Sequence, residues 1–273
     1  MPEIMNDASW QVPHAEEIEL FDKKCDYCVV IPVINEGERI RSQLRAMKPL
    51  AEQVDILIAD GGSTDGSLVP EFLRSVGVRT LLVKKDKGKL SAQLRIAYAY
   101  ALRQGYKGVI TVDGNNKDGV EAIPDFIRHL DKGYGLVQGS RYVKGGQAIN
   151  TPVVRDLAIR LLHAPIISLA ARHRYTDTTN GFRGYSREYL LDPRVQPFRD
   201  VFNLYELLAY MSVKAPRLGY PTIEIPVTRR YPDSGEVPTK ISHFRGNLLL
   251  LRTLFHLFTG AYEPSRIQEG PKL

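Results

Sequence analysis

From Cys28 onward the chain alternates between two hydrophobic rhythms. Short apolar runs recur: CVVIPV from Cys28, VDILIAD ending at Asp60, VRTLLVK from Val78, GVITVD ending at Asp113 and GLVQGSR ending at Arg141. Their length predicts buried strands. Between them, EGERIRSQLRAM, TDGSLVPEFLRSV, GKLSAQLRIAYAYALRQG and GVEAIPDFIRHL repeat apolar residues at helical spacing. Strands alternating with helices predict βαβ units, hence an α/β fold with a mostly parallel central sheet and helices on both faces. The second half is less regular. TPVVRDLAIRLLHAPIISLAARH predicts a helix broken at Pro165, TDTTNGFRGYS a polar loop, FNLYELLAYMSV a helix and TIEIPVTRRY a strand. ISHFRGNLLLLRTLFHLFTG closes the chain as an amphipathic helix, too interrupted by Arg and His to span a bilayer; it suits a membrane surface, with Leu250, Leu251, Leu254, Phe255 and Phe258 available to lipid, or else packs on the protein's own core. Residues 1–24 are polar and aperiodic and read as a loose extension. The expected organisation is therefore an extension over 1–24, one α/β domain over 25–240 and an amphipathic helix with a tail over 241–273.

In an open parallel sheet, ligands bind outside the carboxyl ends of the strands. Asp60 and Asp113 each end an apolar run, so both are expected to face one crevice. Gly61 and Gly62 suit a tight turn, and Ser63, Thr64 and Asp65 suit a helix cap, functional or not. The formal net charge of +6 and pI of about 9.2 fit nucleic acid, anionic lipid or a phosphorylated substrate equally. No nucleic-acid-reading motif narrows this toward DNA or RNA. Two cysteines in CDYC, without nearby histidines, give no metal or redox framework. With no signal peptide or spanning run, the expected compartment is the cytoplasm.

VVIPVINEGERI, IADGGSTDGS, VDGNNKDGVEAIP, QGSRYVKGG, DTTNGFRGYS and EIPVTRRY…TK occur in the order seen in family 2 glycosyltransferases of the GT-A fold. The chain most resembles the dolichyl- and polyprenyl-phosphate sugar transferases, over roughly residues 28–240. The resemblance implies a Rossmann-like GT-A domain and an inverting enzyme. Such an enzyme moves a hexose from a nucleoside-diphosphate sugar to polyprenyl phosphate at the cytoplasmic membrane face, with Mg²⁺ or Mn²⁺ bound mainly with the donor. The alternative acceptor is a saccharide in cell-surface polysaccharide synthesis. No G-x-G-T-R-type loop follows the first strand, against a sugar-nucleotide pyrophosphorylase. The oligomeric state is unreadable.

The resemblance also assigns residues. Pro32, Glu36, Asp60, Asp113, Gly114 and Asn115 match donor-nucleotide positions. Asp113, Asn115 and Asp118 are the candidate metal ligands, although the family's D-x-D reads Asp113, Gly114, Asn115 here. Lys117 stands where a metal-facing glutamine is usual. Either Asp118 supplies the missing oxygen, Lys117 stands in for part of the cation's charge, or the two form a solvated turn. Gly61 likewise replaces the second of two adjacent acids. Arg141, Arg155, Arg183, Arg229, Arg230 and Lys240 are the candidate phosphate ligands, since guanidinium matches phosphate geometry. Asp113, Glu206 and Arg141 are the candidate catalytic groups. Glu206 is the candidate base, which a sugar hydroxyl would need and a lipid phosphate would not.

Overall fold

The computed structural model describes residues 7–232 and 252–264. After β1 (Ala15–Glu19), the apolar runs form strands β2 (Tyr27–Val33), β3 (Asp55–Asp60), β4 (Val78–Lys84), β5 (Gly108–Thr111) and β6 (Leu136–Ser140). A short strand β7 (Gln147–Ile149) is followed by β8 (Arg183–Ser186), β9 (Thr222–Pro226) and β10 (Thr228–Arg230). The helices are α1 (Glu38–Met47), α2 (Pro70–Ser75), α3 (Leu90–Arg103), α4 (Ile123–Asp131), α5 (Val153–Ala158), α6 (Ala164–Ala171), α7 (Arg187–Leu191) and α8 (Glu206–Arg217).

Eight strands make one sheet in the order β1-β4-β3-β2-β5-β8-β6-β9. Its heart is parallel: β2 pairs with β3 and β5, β3 with β4, and β6 with β9. These strands are buried on both faces, which is why their sequences are unbroken apolar runs rather than alternations. One face carries Ile40 and Leu44 of α1, Leu73 of α2 and Phe126 of α4. The other carries α3, α6 and α8. α3 is buried all round from Ser91 to Leu102, polar Gln93 and Arg95 included.

Four expectations change. The polar N-terminal stretch contains β1, which pairs antiparallel with β4 and extends the sheet edge, while Trp10 stacks on Phe198 at 4.0 Å. Its charged residues, AEEIE, suit an edge strand that must not pair further. The RGYS end of the stretch expected as loop is β8, wedged antiparallel between β5 and β6. Pro165 does not break its helix. It falls in the first turn of α6, where a missing N–H costs little, after a π-helical turn over Ile159–His163. Residues 252–259 are helical, but Leu254 and Leu257 are buried in the same core layer as α3 and α8. Leu254, expected to be available to lipid, is thus packed on the protein; Phe255 and Phe258 stay exposed. Leu250, Leu251 and Lys240 lie outside the described residues.

Candidate active site

A cleft of about 430 Å³ opens at the carboxyl ends of the central strands. Val33 ends β2, Gly61 follows β3, Lys84 ends β4 and Asp113 follows β5, and all four line it. A larger hollow of about 660 Å³ lies at the opposite strand ends, lined by Tyr27, Lys107 and Pro221. It faces the amino ends of parallel strands, where open α/β sheets do not place their sites.

The floor of the cleft is built by the turn after β5. Gly114 lies so close to β2 that a Cβ there would stand 3.0 Å from the Pro32 carbonyl oxygen. Asn116 takes a left-handed conformation, φ 58°, which Asn tolerates better than most residues. Its N–H donates to Gln43 Oε1 at 2.8 Å. The turn sends Lys117 back into the cleft and lays the chain against β10: Arg230 N–H donates to the Lys117 carbonyl at 2.8 Å, and Gly119 N–H to that of Thr228 at 2.9 Å. This pairing delivers Arg229. Its guanidinium bridges Asp113 Oδ2 at 2.9 Å and Asp118 Oδ2 at 2.5 Å.

Burial opposes ionisation of Asp113, but the Arg229 charge and hydrogen bond outweigh it and hold the carboxyl below its ordinary range. Burial pushes Asp118 up, against the pull of Arg229, with Asp113 adding to the rise. Lys117 is lowered to about 8, first by burial and then by Arg229. Three cations crowd one buried ring: Lys117 lies 4.9 Å, Arg155 5.7 Å and Arg229 6.0 Å from the centroid of Tyr231.

Pro32, Glu36, Asp113, Gly114, Asn115, Arg155 and Arg229 all line the cleft. Lys117 does too, whereas Asp60, Asp118, Arg141, Arg183, Glu206 and Arg230 do not. Asp60 is buried and its carboxylate accepts the N–H and hydroxyl of Ser63, at 2.9 and 2.6 Å. Ser63, Thr64 and Asp65 do not cap a helix, since α2 starts only at Pro70. They tie down the loop after β2 instead: Asn35 N–H donates to Ser63 Oγ, Thr64 N–H to Asn35 Oδ1 and Gly37 N–H to Asp65 Oδ2.

Arg141 is buried and donates through Nε and Nη2 to Asp177 and Thr179. Arg183 is buried, and its guanidinium uses four of its five N–H groups inside the protein, on the backbone carbonyls of Thr178, Asn180 and Leu208 and on Ser212 Oγ. Arg230 alternates with Arg229 along β10 and is exposed on the other side. Glu206 is buried and accepts the Leu204 N–H at 2.8 Å. The Asp118 side chain is 0% exposed, against 26% for Asp113, so of these two only Asp113 is open to a ligand.

Lys84, Lys89, Gln93, Thr179 and Tyr205 line the cleft without having been expected there. The run KKDKGK beginning at a strand end was the legible signal for the two lysines. Gln93 carries none, because its role is tertiary: its amide donates to the carbonyls of Val33 and Ala59, at the ends of two strands.

Among the described residues, no three His, Cys, Asp or Glu side chains gather as a ready-made metal cage. Asp113 and Asn115 are the oxygen donors that fit a divalent ion. Asn115 Oδ1 is buried without a hydrogen-bond partner among the described residues, and a buried polar atom without a partner is unusual.

Comparison with known proteins agrees with this geometry. The chain is 27% identical over 203 residues to the polyprenol monophosphomannose synthase of Mycolicibacterium smegmatis, covering 73% of this chain and 76% of that one. It is 25% identical over 204 residues to the undecaprenyl-phosphate mannosyltransferase of Micrococcus luteus, covering 73% and 81%. In fold it is similar to glucosyl-3-phosphoglycerate synthase from Mycobacterium tuberculosis, crystallised with Mn²⁺, UDP and phosphoglyceric acid. That match has a TM-score of 0.61 at 16% identity and covers 88% of this chain and 80% of the other. The family model for glycosyl transferase family 2 matches residues 28–192, from the first parallel strand through the cleft floor to the end of α7, and the chain belongs to that family.

Proposed function

We propose that this glycosyltransferase moves a hexose, with inversion, from a nucleoside-diphosphate sugar to a polyprenyl phosphate at a membrane surface. One observation carries the choice of acceptor. Glu36 and Asp113 are the carboxylates lining the cleft, and both are ion-paired, with Arg39 at 2.8 Å and Arg229 at 2.9 Å. Around them stand Lys84, Lys89, Lys117, Arg155 and Arg229. A cleft with fixed cations and, among the described residues, no unpaired carboxylate suits an acceptor that is already an anionic nucleophile. A sugar hydroxyl would need its proton removed. Glu206, the candidate base for that chemistry, is held on the Leu204 backbone instead. The names of the relatives, acting on polyprenol and undecaprenyl phosphate, support the same class.

In this reading Asp113 and Asn115 hold a divalent ion together with the donor's own phosphate oxygens. When bound, the ion neutralises charge on the departing nucleoside diphosphate. Lys117, Arg155 and Arg229 hold the phosphates of donor and acceptor, in a partly water-excluded site where fixed charges act strongly. Pro32 and Glu36 sit beside the nucleoside. Inversion follows if acceptor phosphate attacks the anomeric carbon opposite the leaving diphosphate: one C–O bond forms as the other breaks.

A panel of UDP- and GDP-sugars, offered with short-chain polyprenyl phosphate in detergent, tests the proposal. The expected product is a polyprenyl-phosphate hexose of inverted anomeric configuration. Transfer confined to soluble saccharides would overturn it.

A further inference from the structure

From Val153 to Ala171 the chain runs as α5, the π-helical turn and α6. One side is held by the protein: Ile159, Ala164, Ile167, Ala170 and Ala171 are buried, the last three in the core layer that contains α3 and α8. The first half leaves a second side uncovered among the described residues. Val153 is 73% exposed, Val154 81%, Leu157 50% and Leu161 73%. Scattered exposed apolar residues are ordinary, but these recur at helical spacing on one face, where a helix packed on a core normally turns polar residues outward.

The charged neighbours of this face are mostly basic. Arg160 shares it, with its side chain 54% exposed, and Arg172 and Arg174 are exposed just beyond α6. The acid of the segment, Asp156, is paired with Arg160 at 3.1 Å. Exposed apolar side chains with an arginine among them, on a helix followed by two more exposed arginines, are the composition of a helix that lies in a membrane interface. The same helix reaches the active site: Arg155, about a third of a turn or more round from Val154 and Leu157, lines the cleft.

We propose that α5 and the π-helical turn dock on an anionic lipid bilayer. Val153, Val154, Leu157 and Leu161 enter the headgroup boundary and Arg160 meets lipid phosphates. Docking in this way puts the lip of the cleft at the membrane, so that a polyprenyl phosphate headgroup arrives beside Arg155. That last consequence rests on the lipid-acceptor reading; the docking itself needs only lipid.

The test is flotation of the full chain with vesicles of phosphatidylcholine alone or mixed with phosphatidylglycerol, neither containing polyprenyl phosphate. The chain should float with the mixed vesicles. The double variant Leu157→Glu/Leu161→Glu should lose at least about tenfold in partitioning, from lost apolar burial. Arg160→Gln should lose roughly fivefold, the worth of one basic residue near an anionic surface. A polarity-sensitive dye on Leu161→Cys, in a Cys25→Ser background, should emit as in water until anionic vesicles are added. Emission that is already apolar in buffer would mean that another part of the chain, or a second copy, covers this face, and would overturn the proposal. So would undiminished flotation of the double variant. The double variant should still transfer sugar to short-chain polyprenyl phosphate in detergent. Transfer by the wild type without flotation defeats the docking alone; flotation without transfer to any polyprenyl phosphate defeats the acceptor reading alone.

Discussion

Two arginine–aspartate assemblies lie at the carboxyl end of the sheet, joined by the loop over residues 176–181, and they are built on opposite principles. In the first, Arg141 meets Asp177 through two side-chain bonds, at 2.6 and 2.8 Å, and adds its own N–H at 3.2 Å. Thr179 completes the set, and Glu224 on β9 accepts the N–H groups of Thr176 and Asp177. Both charged side chains are almost wholly buried, at 1% and 0% exposure, and no fully buried polar atom of either lacks a partner. In the second, Arg229 serves two carboxylates at once. Asp118 Oδ1, Asn115 Oδ1 and Asn180 Nδ2 nearby remain buried without partners among the described residues. A closed pair holds a shape, whereas an assembly with unmet valences has room for a ligand. The first pins the loop whose Gly181 lies against Asp113, so tightly that a Cβ at Gly181 would strike the Asp113 carboxylate. Arg141 and Asp177 therefore hold the loop beside the cleft without lining it.

The contrast makes graded predictions. The largest effect belongs to the closed pair. Asp177→Asn leaves the Arg141 charge buried and unpaired, which should cost about 3–5 kcal/mol of stability in a denaturant titration. Nucleotide affinity of the folded fraction should change little. A loss of binding with full stability would reverse the two roles.

Next comes the open assembly. Asp113→Asn should lower turnover by roughly 10²–10³-fold, the scale of removing one group that stabilises transition-state charge. The midpoint of thermal unfolding should stay near that of the wild type. Turnover within tenfold of wild type would remove Asp113 from the chemistry.

Arg229→Lys keeps a charge but loses the planar fork that reaches both carboxylates. Affinity for a nucleoside diphosphate, measured by calorimetry, should fall about tenfold, as expected for one lost hydrogen bond to a charged group. An unchanged affinity would mean that Arg229 serves only the protein.

The smallest effect is in acid. Burial opposes the Asp177 charge, but Arg141 and the loop N–H groups outweigh it and hold the carboxyl below its ordinary value of 3.8. A carboxyl lowered in the folded state contributes stability that is present above the unfolded value and lost as pH falls through the folded one. Stability should therefore decline below about pH 4, and Asp177→Asn should flatten that decline. Parallel acid profiles for the two proteins would show that the pair is not what titrates.

How much of this was legible depends on how local each feature is. The central strands could be read from the sequence because a strand buried on both faces must be apolar throughout, and that needs no knowledge of neighbours. Asp113 could be placed at the cleft for the same reason: it ends such a run. Asp60 ends one too, yet Ser63 captures its carboxylate in a local turn, and a short-range hydrogen bond of this kind competes with any outward role.

The arginines divide differently. Arg141, Arg155, Arg183, Arg229 and Arg230 are chemically alike in sequence, and charge carries no direction. Strand register sends Arg229 inward and Arg230 outward. Arg183 is neutralised in effect by carbonyls of Leu208 and the 178–180 loop, so a stretch that reads as polar loop becomes the interior strand β8. β1 exists only because β4 offers it an edge. By itself, then, the sequence determined the apolar strands, their alternation with helices and the acid at the end of β5, since each follows from side chains acting on their own backbone. Only the tertiary structure decided which charges face the ligand and which hold the protein together, because a charge is assigned its role by the partner that reaches it first, and those partners come from distant parts of the chain.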